Sequence, residues 1–141
     1  MSAKIKYKNL KKIKKPAMVS FLGFLADVQG CGTIRVIYPY LLLNHYREQC
    51  ADGKASAYAM YMNKFVHDVD FYKGHTFAQF QRSATKGHLE IFKIFKTQIQ
   101  KKYKIPLIYE IDDQLIGIPE WNYASEYYKK NEPYVEKMLS M

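Results

Sequence analysis

The chain has 141 residues, 48% of them hydrophobic and 16% aromatic, which suits one domain with its own core and is too little for two ordinary ones. With 13 Tyr and 8 Phe, a polar disordered chain is excluded. Net charge is +9 but unevenly placed: seven of the 22 basic residues fall in "MSAKIKYKNLKKIKK", which holds no acid, and the other 15 against 13 acids leave only +2.

Residues 1–16 therefore read as a basic, partly disordered tail, and 17–141 as the folded domain. Lys4, Lys6, Lys8, Lys11, Lys12, Lys14 and Lys15 are candidate contacts for nucleic acid or an anionic surface; a solvated, frayed terminus is the plain alternative. After Pro16, "AMVSFLGFLA" is a continuous apolar run, the pattern of a strand covered on both faces. "DVQGCG" follows as a tight loop, and "TIRVIYPYLLLNHYREQ" as a helix with Ile34, Ile37 and Leu41 at helical spacing and a kink or restart at Pro39. "CADGKAS" is loop, "AYAMYM" a second buried strand, and "HTFAQFQR" a third with Phe77 and Phe80 inside.

Thr85 is the expected N-cap of the clearest helix, "KGHLEIFKIFKTQIQKKY", whose Leu89, Phe92, Phe95, Ile99 and Tyr103 mark one face. Pro106 stops that pattern and opens "LIYEI", a fourth strand running into Glu110, Asp112 and Asp113. The remainder reads as a loop and two short helices, with Pro133 near the first turn of the second. Strands alternating with helical links predict an α/β fold: a Rossmann-like parallel sheet of about four strands flanked by helices. All strand carboxyl ends then share one edge, where such folds bind ligands.

On that edge fall Gly30, Cys31, Gly32 and Arg35 of "GCGTIR", Arg82 of "FAQFQR", and the pair Asp112 and Asp113. The glycines would let backbone N–H groups approach a phosphate or sugar at a helix start, though the dinucleotide fingerprint is not met and a simple turn explains them equally well. The aspartates could hold sugar hydroxyls, perform acid and base work, or pair internally with Arg82 or Arg35. Trp121 could stack on a sugar ring or anchor packing. His45, His67, His75 and His88 show no metal-ligand spacing, so no metal site is expected, and Cys31 and Cys50 suit a reducing cytosol rather than a disulfide framework. No apolar run is long enough to span a membrane.

Three segments, "GCGTIRVIYPYLLL", "FAQFQRSATKGHLEIFK" and "IPLIYEIDDQLIGIPEWNYASEYY", together resemble the amino-terminal, acceptor-side half of GT-B glycosyltransferases, of the family-one and family-four-like kind encoded by bacteriophages. Across most of 17–141 the order is similar: a Gly-rich loop with a following Arg, a strand ending in Gln-Arg, and a strand ending in Asp-Asp before an "IPE" turn. The resemblance implies a glycosyltransferase-like domain that moves a hexose from a nucleotide sugar to an acceptor, modified phage DNA or a glycan. It places Gly30, Cys31, Gly32, Arg35, Arg82, Asp112 and Asp113 in the cleft and leaves the catalytic residues unassigned. A nucleotide-sugar donor would be co-substrate, with no tightly bound cofactor. The donor-binding second domain is not in this sequence, so whether the chain is an enzyme by itself stays open; a complementary domain or a homo-oligomer is the expected partner. The implied location is the cytoplasm, that of the host if the chain is phage-encoded. A noncatalytic nucleic-acid-binding or interaction protein using the Lys tail is the alternative.

Overall fold

The computed structural model describes residues 18–27, 30–51, 53–111 and 114–141; the Lys tail and the pair Asp112 and Asp113 lie outside the described residues. Strand β1, Val19–Leu25, leads into a helical segment whose π-helical first part, Thr33–Ile37, passes into α1, Tyr38–His45, and then α2, Arg47–Ala51. Pro39 sits just after the π-helical turn, where the sequence predicts a kink or restart; the backbone stays right-handed helical through Ile37 and Tyr38, so the segment takes up the proline by a π-helical turn and does not restart. Strand β2, Ala55–Tyr61, and two short 3₁₀ turns lead to β3, Phe77–Gln81. Helix α3, Lys86–Ile94, runs through a π-helical stretch, Phe95–Gln100, into α4, Lys101–Tyr103, which ends on the left-handed Lys104. Strand β4, Leu107–Glu110, and helix α5, Ser125–Leu139, complete the chain.

All pairings are parallel, and the strands lie in the order β2-β1-β3-β4. The fold is thus α/β and Rossmann-like, a four-stranded parallel sheet flanked by helices. Tyr61, Leu25, Gln81 and Glu110 align across the sheet as one row at its carboxyl edge. The chain leaves β1 toward β2 on one side and returns to β3 on the other, so the carboxyl ends of β1 and β3 form the point where connections diverge and a crevice opens.

The two faces of the sheet are covered differently. Toward α3, Leu22, Phe24, Ala78 and Phe80 pack against Leu89, Phe92, Phe95 and Ile99, the stripe expected from the sequence, with Met138 of α5. Thr85 caps α3 as expected: its hydroxyl accepts from the His88 N–H, while His88 Nδ1 accepts from the N–H groups of Ala84 and Thr85. Toward α1 the cluster is smaller, Leu25, Val36, Tyr40 and Ala57. Gly23 makes this close approach possible, because a Cβ there would lie 2.5 Å from Val36 Cγ1 and 2.9 Å from Tyr40 Cε2.

Four expectations need correction. The inward side of this helical segment is Val36 and Tyr40, with Ile37 partly buried against the same cluster as expected; Ile34 and Leu41 instead face outward, both more than half exposed, because the π-helical turn shifts the phase. "AYAMYM" is not a buried strand: β2 is the sheet edge, with Ala55 and Ala57 buried but Tyr58 and Tyr61 exposed. Phe80 is buried in the core, yet Phe77, on the opposite face, is only partly covered. The two short terminal helices are one, α5, with Pro133 inside it; Tyr128, Asn131, Val135 and Met138 keep a single buried side across the proline, and that packing outweighs its lost hydrogen bond.

Candidate functional site at the carboxyl edge

Gly30 has φ +38° and begins the turn into the first helix, where the Ile34 N–H bonds its carbonyl. Gly32 has no room for a side chain: a Cβ would stand 2.1 Å from the Asp27 carbonyl oxygen. The "GCG" turn therefore brings the end of β1 and the first helical turn into direct backbone contact, and Cys31 is left half-buried between the glycines facing Arg82. Its Sγ lies 3.9 Å from the Arg82 guanidinium.

Arg82 follows β3 with φ 49°, a left-handed conformation that costs a non-glycine residue about 1–2 kcal/mol. Its N–H bonds the Glu110 carbonyl at 2.9 Å, which pins the strained residue to the end of β4. The guanidinium reaches back over the edge, donates to the Tyr128 hydroxyl and lies 6.0 Å from the centre of that ring. Tyr128 is itself buried with Ala84, Leu115, Ile118 and Val135, a small core beneath the loop before α5. Arg82 is thus aimed by packing on one side and by backbone bonding on the other.

A second constellation lies on the α1 side. Arg35 donates to Glu110 Oε1 at 3.1 Å, Gln79 Nε2 donates to Glu110 Oε2 at 3.0 Å, and the Tyr40 hydroxyl donates to Gln79 Oε1 at 3.0 Å. Burial, with a smaller contribution from the Glu110 charge, pushes the Tyr40 phenol up to about 12, so it donates throughout the neutral range. Both oxygens of Glu110 are engaged, and the ion pair is half exposed on the Arg35 side, which limits its worth to about 0.2–1 kcal/mol. Arg35, expected on the carboxyl edge, reaches the end of β4 there, with Glu110 among its partners.

Between these features the sheet leaves polar atoms unmatched. Gln81 is fully buried at the end of β3, and neither its amide oxygen nor its nitrogen is hydrogen-bonded; Asp27 Oδ1 is buried in the same condition. Each unmatched buried group costs about 1–3 kcal/mol, a burden that folds commonly tolerate where function requires it.

Beside Arg82 a cleft of about 340 Å³ is lined by Gln114, Ile118, Pro119, Asn122 and Tyr128, with Trp121 and Tyr123 standing at its mouth. Trp121 is 85% exposed, so it is not a packing anchor. Glu110 lies at the rim where the sequence places it with Asp112 and Asp113, whereas Gln79, Gln81 and Tyr128 are site residues that sequence reasoning missed. The "QFQR" repeat of Gln at alternate positions on one strand face was the available signal for the first two. Among the described residues no group of three His, Cys, Asp or Glu side chains converges as a metal site, and no helix is long and apolar enough to cross a membrane. Compared with models of protein families, with curated proteins and with solved structures, the chain finds no match.

Proposed function

We propose that this chain is the acceptor-side domain of a sugar-transferring protein, holding a hydroxyl-rich acceptor at the carboxyl edge while a donor-binding half supplies a hexose from a nucleotide sugar. The observation that carries this reading is Arg82. A strained arginine at the crevice between β1 and β3 opens onto a cleft whose polar groups include the amides of Gln114 and Asn122 and the Tyr128 hydroxyl, and which two exposed aromatic rings, Trp121 and Tyr123, also line. A guanidinium and amides are matched donors and acceptors for sugar hydroxyls, and an exposed indole offers a flat apolar face to a sugar ring or a base. Backbone strain retained at a ligand edge is the kind that functional sites keep.

Both oxygens of Glu110 accept hydrogen bonds, from Arg35 and Gln79; the carboxylates we assign to receive an acceptor hydroxyl's proton are those that follow in sequence, Asp112 and Asp113. The domain would contribute orientation of that hydroxyl; stabilising the departing diphosphate would fall to the donor-binding half. The competing reading, a nucleic-acid binder, draws on the seven lysines before Pro16 together with the exposed Trp121 and Tyr123.

Trp121 is the only tryptophan in the chain, so its fluorescence reports this cleft directly. Titration with a glucose oligosaccharide, a nucleotide sugar and a single-stranded oligonucleotide should show a saturable change with a sugar-bearing ligand. Arg82→Ala should weaken that change about tenfold, the scale of one charge-assisted hydrogen bond. A response to the oligonucleotide alone, falling steeply with salt, abolished by removing residues 1–15 and indifferent to Arg82→Ala, would replace the sugar reading with the nucleic-acid one.

A further inference from the structure

At the opposite end of the sheet from Arg82, on the face that carries α3, lies a second cavity of about 540 Å³. It exists because α3 covers β1, β3 and β4 on that face but leaves the edge strand β2 open, with Tyr58 57% exposed. Met18, Leu22, Tyr58, Met60 and Phe71 form its apolar walls. Its size falls within the range of about 300–1,000 Å³ usual for small-molecule sites.

The floor is polar and built. Ser20 and Ser56 stand side by side in register on β1 and β2. The Ser56 hydroxyl donates to Ser20 Oγ at 3.2 Å, and Ser20 Oγ lies 2.9 Å from His75 Nδ1. Ser20 is buried, and its backbone is held by Thr76, whose hydroxyl accepts from the Ser20 N–H and donates to the Ser20 carbonyl. Gly74, at φ +94°, turns the chain so that His75 folds back over the strands, edge-on to Tyr58 at 5.7 Å between ring centres. A neutral imidazole makes this bond in either tautomer, as acceptor from the Ser20 hydroxyl or as Nδ1–H donor to Ser20 Oγ. Burial lowers the affinity of His75 for a second proton, in keeping with this neutral state. Lys73 lines the rim, and among the described residues neither Asp nor Glu does.

From this combination we infer a binding site for an aromatic anion: a flat ring system seated among Tyr58, Phe71 and Met60, with its carboxylate or like acid group directed to Lys73 at the rim, beside His75. The single lysine and the apolar walls favour such a ligand over a metal cation or a polyhydroxylated one. It is independent of the carboxyl-edge cleft, sharing no lining residue with it.

The test uses the full chain with 1-anilinonaphthalene-8-sulfonate as a fluorescent probe and two competitors of equal size, 2-naphthoate and 2-naphthalenemethanol, with circular dichroism to confirm that each variant is folded. The expected result is saturable probe binding at one site, displaced by 2-naphthoate about tenfold more effectively than by the alcohol. Lys73→Gln, a change at an exposed position, should erase that preference, and Tyr58→Ala should weaken both competitors. Equal competition by the alcohol would overturn the anionic assignment. Probe binding unchanged in both variants would place the dye elsewhere and overturn the site. Loss of probe binding with rising protein concentration, together with dimers in light scattering, would assign the face to pairing between copies along β2 instead.

Discussion

The two faces of this sheet are built to different standards. Toward α3, Phe24, Phe80, Phe92 and Phe95 pack ring against ring, with Phe24 and Phe80 centred 4.3 Å apart and Phe95 edge-on to both. Toward α1, the contact is a small cluster, Val36 and Tyr40 against Gly23 with Leu25 and Ala57, joined by directional bonds: Asn44 to the Ala57 backbone and the polar chain Tyr40–Gln79–Glu110–Arg35. The outer side of the same helical segment shows Ile34, Tyr38, Leu41 and Leu42 to solvent, each more than half exposed. The difference teaches that stability and wiring are separated here: aromatic packing on one face anchors the sheet, which leaves the other free to carry the directional bonds that reach the carboxyl edge.

Truncating the aromatic face should give the largest loss. Phe95 is fully buried against Phe24, Tyr72 and Phe80, so Phe95→Ala should cost about 3–5 kcal/mol, read as a lower urea midpoint by circular dichroism. A loss below about 1 kcal/mol would mean that the core collapses around the gap and that the two faces are closer in quality than their packing indicates. Next, Gly23→Ala tests the α1 face by overpacking, since the added methyl meets Val36 and Tyr40 well inside contact distance. The expected cost is about 1–3 kcal/mol; a neutral result would show that α1 rides outward freely and is held only by its polar bonds.

Smaller still is Tyr40→Phe, which removes the hydroxyl that donates to Gln79 and leaves the Gln79 oxygen unmatched. About 0.5–1.5 kcal/mol is expected in the same urea experiment, with a loss that should not add to that of Glu110→Gln, because the two bonds share Gln79. Additive losses would show that the chain is two separate contacts and not one network.

The same asymmetry explains what was legible in the sequence. Leu89, Phe92, Phe95 and Ile99 are spaced so regularly, with Thr85 before them, that α3 and its buried side could be read without coordinates, and the strand-helix alternation gave the parallel sheet. Helix α1 carries large apolar residues on every side, and its π-helical start shifts the phase, so periodicity chose Ile34 and Leu41 where the fold buries Val36 and Tyr40. The edge position of β2 was hidden because "AYAMYM" has the composition of an interior strand; strand order is a long-range property that local pattern does not encode. At the candidate site, Arg82 could be singled out as a strand-end cation, but its left-handed backbone and its seat on Tyr128, 46 positions later, could not. Trp121 was undecided between ligand platform and packing anchor until its exposure was seen.

The finest distinction between the faces is their response to acid. His88 caps α3 by accepting, at Nδ1, the N–H groups of Ala84 and Thr85, and His75 Nδ1 is hydrogen-bonded to the Ser20 hydroxyl; burial lowers the pKa of both rings from the ordinary 6.5. A lowered folded-state pKa means that the unfolded chain takes up the proton first, so the stabilisation is complete above 6.5 and is lost as pH falls below it toward the folded-state values. Protonation at Nδ1 removes the acceptor that closes the capping box, so the loss belongs to the amino end of α3. Melting temperature followed from pH 7.5 to 5 should therefore decline for the wild-type chain. His88→Gln, whose side-chain oxygen can still accept at that position, should flatten part of the decline, and His75→Gln with His88→Gln should flatten more of it. An unchanged slope in the double variant would move the acid sensitivity to the carboxylates and leave the α3 face as indifferent to pH in this range as to most single surface changes.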